Sequence, residues 1–173
     1  TSGDSASTLF AYGALLDVAS VRGTRTIPIE EWYAGPGRSH KERDELLVKI
    51  RIPRSHYEGF TGYYFKYGKR NALEITTMGC CCLVKLAADK STIEDIRLAF
   101  GVAGPTPMRA LAAEDAVRGL PVAEAAEKIG ELAAGCTNPR DSWRASKEFR
   151  LQLIKEMSKR SLIYAARRGG ADI

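Results

Sequence analysis

The stretch Met78–Leu86 is the feature that most constrains the fold of this chain. It is apolar or small at every position before Lys85, so both of its faces suit burial. A strand of this kind lies inside a sheet that is covered on both sides. The aromatic-rich residues 62–67 and the alternating residues 96–102 predict its neighbours, with 88–91 as a connecting turn. We therefore predict a three-stranded antiparallel sheet with Met78–Leu86 in the centre.

Three helices are predicted after this sheet. The first begins at Thr106, an N-cap followed by proline, and ends at Gly119. The second runs from Pro121 to Gly135 with apolar residues at helical spacing. The third, residues 141–168, has an apolar stripe made of Phe149, Leu153, Ile154, Met157, Tyr164 and Ala165. The predicted fold class is α+β, with the sheet packed on a three-helix bundle and preceded by the end of another domain.

Short apolar segments broken by turns make up the N-terminal part of the chain. A mostly apolar run meets a hairpin-like turn at 22–25, and 26–29 predicts an edge strand, since proline cannot donate to a strand ladder. Residues 48–52 alternate apolar and basic side chains, which predicts a half-buried strand. The polar residues 54–59 predict a linker. We therefore place the domains at 1–53 and 60–173.

Composition indicates a globular protein. The apolar share is 45%, and no run approaches the roughly 18 apolar residues of a membrane span. The N-terminus lacks the basic-then-apolar pattern of a secretory signal, so we expect a cytoplasmic protein that does not bind a membrane. The first residue is Thr1 rather than Met, which predicts that the chain begins inside a longer gene product.

The net charge is +5, and much of the excess lies in residues 140–168. Nucleic-acid binding needs such a basic stripe, because phosphate neutralisation supplies most of the non-specific affinity. However, no stacking aromatics are interleaved with it. A solvated helix face or a surface for an acidic partner is favoured, and we expect no nucleic-acid partner. A basic nucleic-acid-binding domain is the alternative from another class.

Cysteines and histidines give no sign of a metal centre. Adjacent residues of Cys80–Cys81–Cys82 would point to opposite faces of a strand, so the triplet cannot share one tetrahedral metal. We interpret these cysteines as small buried residues in a reducing compartment. His40 and His56 lack any metal-ligand or catalytic spacing. We predict no catalytic residue and no metal ligand, so a cofactor must supply any chemistry.

Two places could contact a polar cofactor. The opening residues 1–5, with Ser2 and Asp4 beside glycine, offer a hydroxyl, a carboxylate and backbone N–H groups, although such clusters are usually turns or helix caps. Lys66 lies near the end of an aromatic strand, where a cation could stabilise the negatively charged, reduced form of a bound cofactor. A lysine in this position is otherwise an ordinary residue on the solvent side of an edge strand.

Several segments, taken in order, resemble one family from the first residue to about Arg168. These are Ile-Arg-Ile-Pro at 50–53, Tyr-Tyr-Phe-Lys-Tyr-Gly-Lys-Arg-Asn at 63–71, the strands at 78–86 and 96–102, Gly-Pro-Thr-Pro-Met-Arg at 104–109, and Ser-Trp-Arg-Ala-Ser-Lys-Glu-Phe-Arg at 142–150. They resemble the FAD-binding medium subunit of molybdenum hydroxylases, especially the bacterial xanthine dehydrogenase type. The resemblance implies a C-terminal domain of the CO dehydrogenase flavoprotein type. It also implies that residues 1–53 are the end of a PCMH-type α/β FAD-binding domain.

The same resemblance implies FAD contacts at Ser2, Asp4, Leu47 and Lys66. Leu47 would supply an apolar contact to the flavin, although the sequence fits a core residue at this position equally well. The loop 67–75 would pass beside the flavin ring, and this chain has Leu73 and Glu74 where some relatives carry two acids. The Gly-Gly-Asn motif and the Gly-rich adenine-dinucleotide loop that precede residue 1 in the family are not in this sequence. The FAD site would therefore be incomplete here.

The function implied by the resemblance is that of one subunit in an oxidoreductase. A large subunit would hold the molybdenum cofactor and hydroxylate a purine, and a small subunit would hold two [2Fe–2S] clusters. This chain would help the flavin subunit to pass electrons from the clusters to FAD and on to NAD. Two alternatives stay open: a flavin-less assembly module of the same complex, or a subunit of a related hydroxylase acting on another N-heterocycle or an aldehyde.

Overall fold

A four-stranded antiparallel sheet lies at the centre of the computed structural model, which describes residues 2–173. Its strands, in spatial order, are β6 (Thr61–Tyr67), β7 (Met78–Leu86), β8 (Ile93–Gly101) and β9 (Met108–Arg109). The prediction that Met78–Leu86 is an internal, fully covered strand is confirmed, because its first seven residues are buried. The predicted three strands are all present, and the third begins at Ile93 rather than at residue 96.

The fourth strand corrects the predicted start of the first helix. The residues that were expected to form the first turn of this helix instead form a strand that pairs with β8. Met108 lies opposite Phe100, and Ala110 N donates to the carbonyl of Leu98 at 2.9 Å. The helix, α2, therefore spans only Leu111–Val117. Its predicted stop at Gly119 is confirmed, since this glycine has a φ of +83°, a conformation that other residues rarely adopt.

Two longer helices complete the bundle. Helix α3 spans Val122–Gly135 after Pro121, as predicted, and α4 spans Lys147–Arg168. The predicted start of α4 at residue 141 is wrong, because the Ser146 side chain caps the helix by accepting from Phe149 N at 3.1 Å. Helices α3 and α4 approach closely at Gly130, where a Cβ atom would lie 2.8 Å from the carbonyl oxygen of Lys155.

The main core lies between the helices and one face of the sheet. Most of the predicted stripe on α4 is buried there, whereas Phe149 and Tyr164 lie at its margin and contact Tyr67 and Tyr63 at ring-centroid distances of 5.6 and 4.7 Å. The sheet contributes to this core the side chains of Met78, Cys80, Cys82, Val84, Ile93, Ile96, Leu98 and Phe100.

The opposite face of the same sheet packs against the N-terminal part of the chain. Helix α1 (Asp4–Ala11) and the strand that follows it cover this face through Phe10, Ala11 and Leu16. The sheet side of this second core is made of Cys81, Leu83 and Ala99. The predicted alternation of the cysteine triplet is therefore confirmed, with Cys81 on one face and its two neighbours on the other.

The N-terminal part forms a second sheet, in the order β2-β1-β5, and a small hairpin. The strands are β1 (Leu15–Ser20), β2 (Gly23–Pro28), β3 (Tyr33–Gly35), β4 (Arg38–Ser39) and β5 (Leu46–Arg51). The predicted hairpin and edge strand are confirmed in β1 and β2. The strand predicted near residue 50 is present as β5, but its half-buried character is wrong, because all six residues are exposed at the other edge of the sheet. The alternation therefore did not indicate a buried face.

The predicted linker is packed against both parts of the chain. Residues Arg54–His56 form a short 3₁₀ helix, and His56 Nδ1 lies 3.0 Å from the carbonyl oxygens of Tyr12 and Gly13. On the other side, Arg97 Nη1 donates to the carbonyl oxygen of His56 at 3.2 Å. The domain boundaries at 1–53, 54–59 and 60–173 stay a prediction.

The basic residues of α4 lie in different environments, and only some of them fit the solvated face that the sequence favoured. Lys155 and Lys159 pair with Glu131 and Glu127 of α3 at 2.8 and 2.7 Å. Arg150 is only 2% exposed and lies inside the fold. Basic side chains without a carboxylate side-chain partner in the described structure lie at the two ends of α4, before and in its first turn and in its last turn. Within residues 2–173, none of the helices has the length and hydropathy that crossing a bilayer requires.

Candidate functional site

Asp4, Lys66 and Thr76 form a polar cluster where α1 meets the end of β6. Lys66 Nζ donates to Asp4 Oδ2 at 2.8 Å, and the hydroxyl of Thr76 donates to the other carboxylate oxygen. Asp4 is the first residue of α1, where a carboxylate is favoured by the helix dipole. The structure thus brings together two of the four residues for which the sequence predicted a cofactor contact.

The cluster holds Asp4 in its charged form. Hydrogen bonds from Lys66 and then Thr76 lower the pKa of the Asp4 carboxyl below its usual value, against a smaller opposing effect of burial. The side chains of Lys66 and Asp4 are 34% and 51% exposed. Both charged groups are therefore preorganised by each other and still reachable by a ligand from solvent.

Tyr64 lies on the same strand as Lys66, two residues earlier, and its hydroxyl is buried without a hydrogen-bond partner in the described structure. Burial, and then the nearby Asp4 carboxylate, raise the pKa of Tyr64 to about 12. A Cβ atom at Gly79 would lie 3.3 Å from this hydroxyl. The hydroxyl of Tyr64 is therefore a neutral, solvent-shielded group next to the Asp4 carboxylate and the Thr76 hydroxyl.

The loop between β6 and β7 is held over the cluster by its own backbone. Lys66 Nζ also donates to the carbonyl oxygen of Glu74 at 2.9 Å, and the Glu74 carboxylate accepts from the backbone N–H of Arg70. The carboxylate of Glu74 is therefore already hydrogen-bonded inside its own loop. Leu73 is 94% exposed, with a φ of 54°, and it presents an apolar side chain to solvent.

The other two predicted contact residues lie outside this cluster. Leu47 is on β5, opposite Val18 of the N-terminal sheet, and is 42% exposed. Ser2 lines a cavity beside the cluster together with Thr76. A role for Leu47 or Ser2 in binding a cofactor stays a prediction.

Sequence reasoning missed Thr76 and Tyr64. The alternation of β6 could have identified Tyr64, because residues two apart on a strand share a face with Lys66. Thr76 carried no such signal, since 72 positions separate it from the carboxylate it contacts. Within residues 2–173, no three His, Cys, Asp or Glu side chains come together in a group that could hold a metal ion.

Two family models match the chain, and together they cover most of it. The CO dehydrogenase flavoprotein C-terminal domain matches residues 63–165, and the FAD binding domain in molybdopterin dehydrogenase matches residues 1–55. Lys66 falls in the first match and Asp4 in the second. The contact between them therefore joins the two matched regions.

Two curated relatives match over all or most of the chain. The xanthine dehydrogenase FAD-binding subunit of Escherichia coli O157:H7 is 40% identical over 174 residues, which is 100% of this chain and 59% of the relative. The nicotine 6-hydroxylase medium subunit of Paenarthrobacter nicotinovorans is 28% identical over 92% of this chain and 55% of its own length. The chain thus spans between half and two thirds of the length of these relatives.

Solved structures share the fold. Carbon monoxide dehydrogenase from Hydrogenophaga pseudoflava superposes with a TM-score of 0.86 at 25% identity, over 97% of this chain and 57% of that one. Quinoline 2-oxidoreductase from Pseudomonas putida 86 superposes with a TM-score of 0.88 at 21% identity. The predicted α+β fold class is confirmed. By sequence match and by fold, this chain belongs to the family of FAD-binding medium subunits of molybdenum hydroxylases.

Proposed function

We propose that this chain is the C-terminal part of the FAD-carrying subunit of a xanthine dehydrogenase-like molybdenum hydroxylase. The match to the Escherichia coli subunit supports this proposal, since it extends over the whole chain at 40% identity. In the proposed complex, electrons from iron–sulfur clusters on a small subunit reach FAD and then NAD, while a large subunit with the molybdenum cofactor hydroxylates a purine. The complex acts in the cytoplasm.

The polar cluster suits one end of a flavin. The Lys66 ammonium and the Asp4 carboxylate offer a donor and an acceptor 2.8 Å apart, and both are open to a ligand. These residues would hold and orient the cofactor together with Ser2 and Leu47. When bound, FAD would supply the hydride and single-electron chemistry that no side chain of this set can perform.

The observation that carries the proposal is the Asp4–Lys66 contact between the two family-matched regions. A cation held near a flavin favours its reduced, anionic form. Because Thr76 also binds Asp4, the position of Lys66 is maintained by three elements: the start of α1, the end of β6 and the residues just before β7. The chain's own contribution is therefore to bind and orient the cofactor and to set its electrostatic environment.

The test is to express the full-length protein that carries this chain together with its neighbouring subunits. We expect the complex to retain flavin and to reduce NAD when xanthine is added. A Lys128→Met variant, which changes a lysine of α3 paired with Glu124, serves as the control and should behave like the parent protein. A complex that assembles with molybdenum and iron but never contains flavin would contradict the proposal and favour an assembly module. Activity with nicotinate or an aldehyde but not with xanthine would place the protein with a related hydroxylase.

A further inference from the structure

A cavity of about 540 Å³ opens beside the polar cluster, at the end of the sheet where α4 begins. One side is formed by Ser2 and Thr76, and another by Val102 and the loop that follows β8. The remaining wall is the connection between α3 and α4, with the first turn of α4. Its size falls within the range of small-molecule sites in proteins.

The lining of this cavity is strongly positive. It contains Arg140, Arg144, Lys147 and Arg150 against a single carboxylate, that of Asp141. In the described part of the chain, no carboxylate lies within salt-bridge distance of any of the four cations. Asp141 is engaged elsewhere, because its Oδ1 accepts from the backbone N–H of Lys147 at 2.6 Å.

Arg150 is the least expected member of this lining, since it is 98% buried with no carboxylate partner. Its guanidinium donates to the carbonyl oxygen of Thr77 and to Ser142 Oγ at 3.0 Å, and its buried Nε has no acceptor. Burial, and then the proximity of Arg140 and Arg144, lower the pKa of Arg150. A buried cation surrounded by like charges is unfavourable unless an anion compensates it.

Two other cations of the cavity contact neutral groups, which leaves their charge available. Lys147 Nζ donates to Asn138 Oδ1 at 2.9 Å, and the guanidinium of Arg144 lies 4.3 Å from the ring centroid of Trp143. By contrast, Lys155 and Lys159, further along α4, are neutralised by glutamates of α3. The N-terminal end of this 22-residue helix adds its positive dipole to the same place.

We propose that this cavity is a binding site for a phosphate-bearing small molecule. It borders the proposed flavin contact through Ser2 and Thr76, and its four cations lie on the remaining wall, away from Asp4 and Lys66. Guanidinium groups match phosphate oxygens with paired hydrogen bonds. The lining, with four cations and one anion, suits a doubly or triply charged group better than a single carboxylate. The ligand is either an inorganic phosphate species or the phosphate end of a nucleotide. The proposal does not rest on the function proposed above.

Binding can be measured by titration calorimetry on the full-length protein with inorganic pyrophosphate and, in a second arm, with ADP. A titration with potassium chloride at the same ionic strength measures the heat that comes from charge screening alone. We expect saturable binding of both ligands. Tighter binding of ADP would identify a nucleotide site, whereas equal affinity would identify a site for the phosphate group alone. No saturable heat with either ligand would overturn the proposal.

The variants distinguish the cavity from general surface charge. In Arg140→Gln/Arg144→Gln, affinity should fall by about tenfold or more for each lost guanidinium. Arg140 is exposed and Arg144 half-buried, so the unliganded melting temperature should change little. The matched control Lys155→Gln/Lys159→Gln removes two positive charges from α4 outside the cavity and should bind like the parent protein. Equal losses of affinity in the cavity variant and in the control would refute the site. Loss of flavin from the cavity variant would also refute it, since the cavity would then hold phosphates of the flavin itself.

Discussion

Lys66 Nζ lies 2.8 Å from Asp4 Oδ2, although 62 positions separate the two residues. The contact connects the start of the first helix to the end of a strand in the central sheet. It places one positive and one negative charge where we propose that a flavin binds. Because the two charges are opposite, removing each one alone should have opposite effects on a bound cofactor.

The flavin potential provides the first prediction. In the full-length protein, Lys66→Met should lower the potential of the bound flavin and Asp4→Asn should raise it. At a partly exposed site one unit charge is worth about 1 kcal/mol, or roughly 20 mV for a two-electron couple. A redox-dye titration measures both shifts, with Lys128→Met as the unchanged control. Shifts of the same sign in the two variants would show that neither charge acts on the flavin directly.

Acid stability of the N-terminal sheet provides the second prediction. Hydrogen bonds, first from Arg51 and then from Thr26, lower the pKa of Asp17 to about 2. Hydrogen bonds from the Arg25 side chain and then the Glu42 backbone N–H lower the pKa of Glu45 to about 2. Both folded-state values lie below those of the unfolded chain, 3.8 and 4.5, so the stabilisation is complete above about pH 4.5 and is lost as the pH falls towards 2.

Melting curves recorded along a pH series check this. Asp17→Asn should melt below the parent protein at neutral pH, and the difference should close as the pH approaches 2. Asp172→Asn, at the exposed C-terminal end, is the control. A gap between Asp17→Asn and the parent protein that stays constant across the series would contradict the assignment.

A buried ion pair provides the third prediction. Glu114 is 1% exposed and accepts from Leu98 N at 2.8 Å and from Arg109 Nη2 at 2.5 Å. Glu114→Gln would leave Arg109 without its charged partner, and losing one member of such a pair destabilises by about 3–5 kcal/mol. Glu124→Gln, which disrupts only the exposed pair with Lys128, should change stability by less than about 0.5 kcal/mol. Denaturant unfolding measures both, and similar effects in the two variants would contradict the structural role of Glu114.

Thiol reactivity provides the fourth prediction. Burial raises the pKa of Cys81 to about 11, and it also raises the pKa of Cys80 and Cys82, so none of the triplet forms a thiolate readily. Of the four cysteines in this chain, an aromatic disulfide reagent should label the half-buried Cys136 first in the native protein. Cys81→Ala should reduce stability by about 1 kcal/mol or less. Fast labelling of Cys81, or stoichiometric iron or zinc bound to the triplet, would contradict its role in packing.

Sequence patterns identified the elements of the central sheet and the bundle because those elements obey local rules. Met78–Leu86 is apolar on both faces, and Pro121 and Gly135 bound a helix with regular apolar spacing. The errors occur where tertiary pairing overrides a local signal. A threonine and a proline near residue 106 resemble a helix start, yet Met108–Arg109 adds a strand to the sheet, because β8 offers an unpaired edge there. The apolar alternation of β5 likewise resembles a buried face, although the described chain has nothing packed on it.

By itself, the sequence determined the fold class, the family and two of the residues at the candidate site, Asp4 and Lys66. Motif order and strand periodicity are local properties, so they can be read without coordinates. Only the tertiary structure placed Asp4 against Lys66, added Thr76 and Tyr64 to them, and buried Arg150 beside a positively charged cavity. These relationships depend on contacts between residues more than 60 positions apart, and no local pattern encodes which distant side chains will meet.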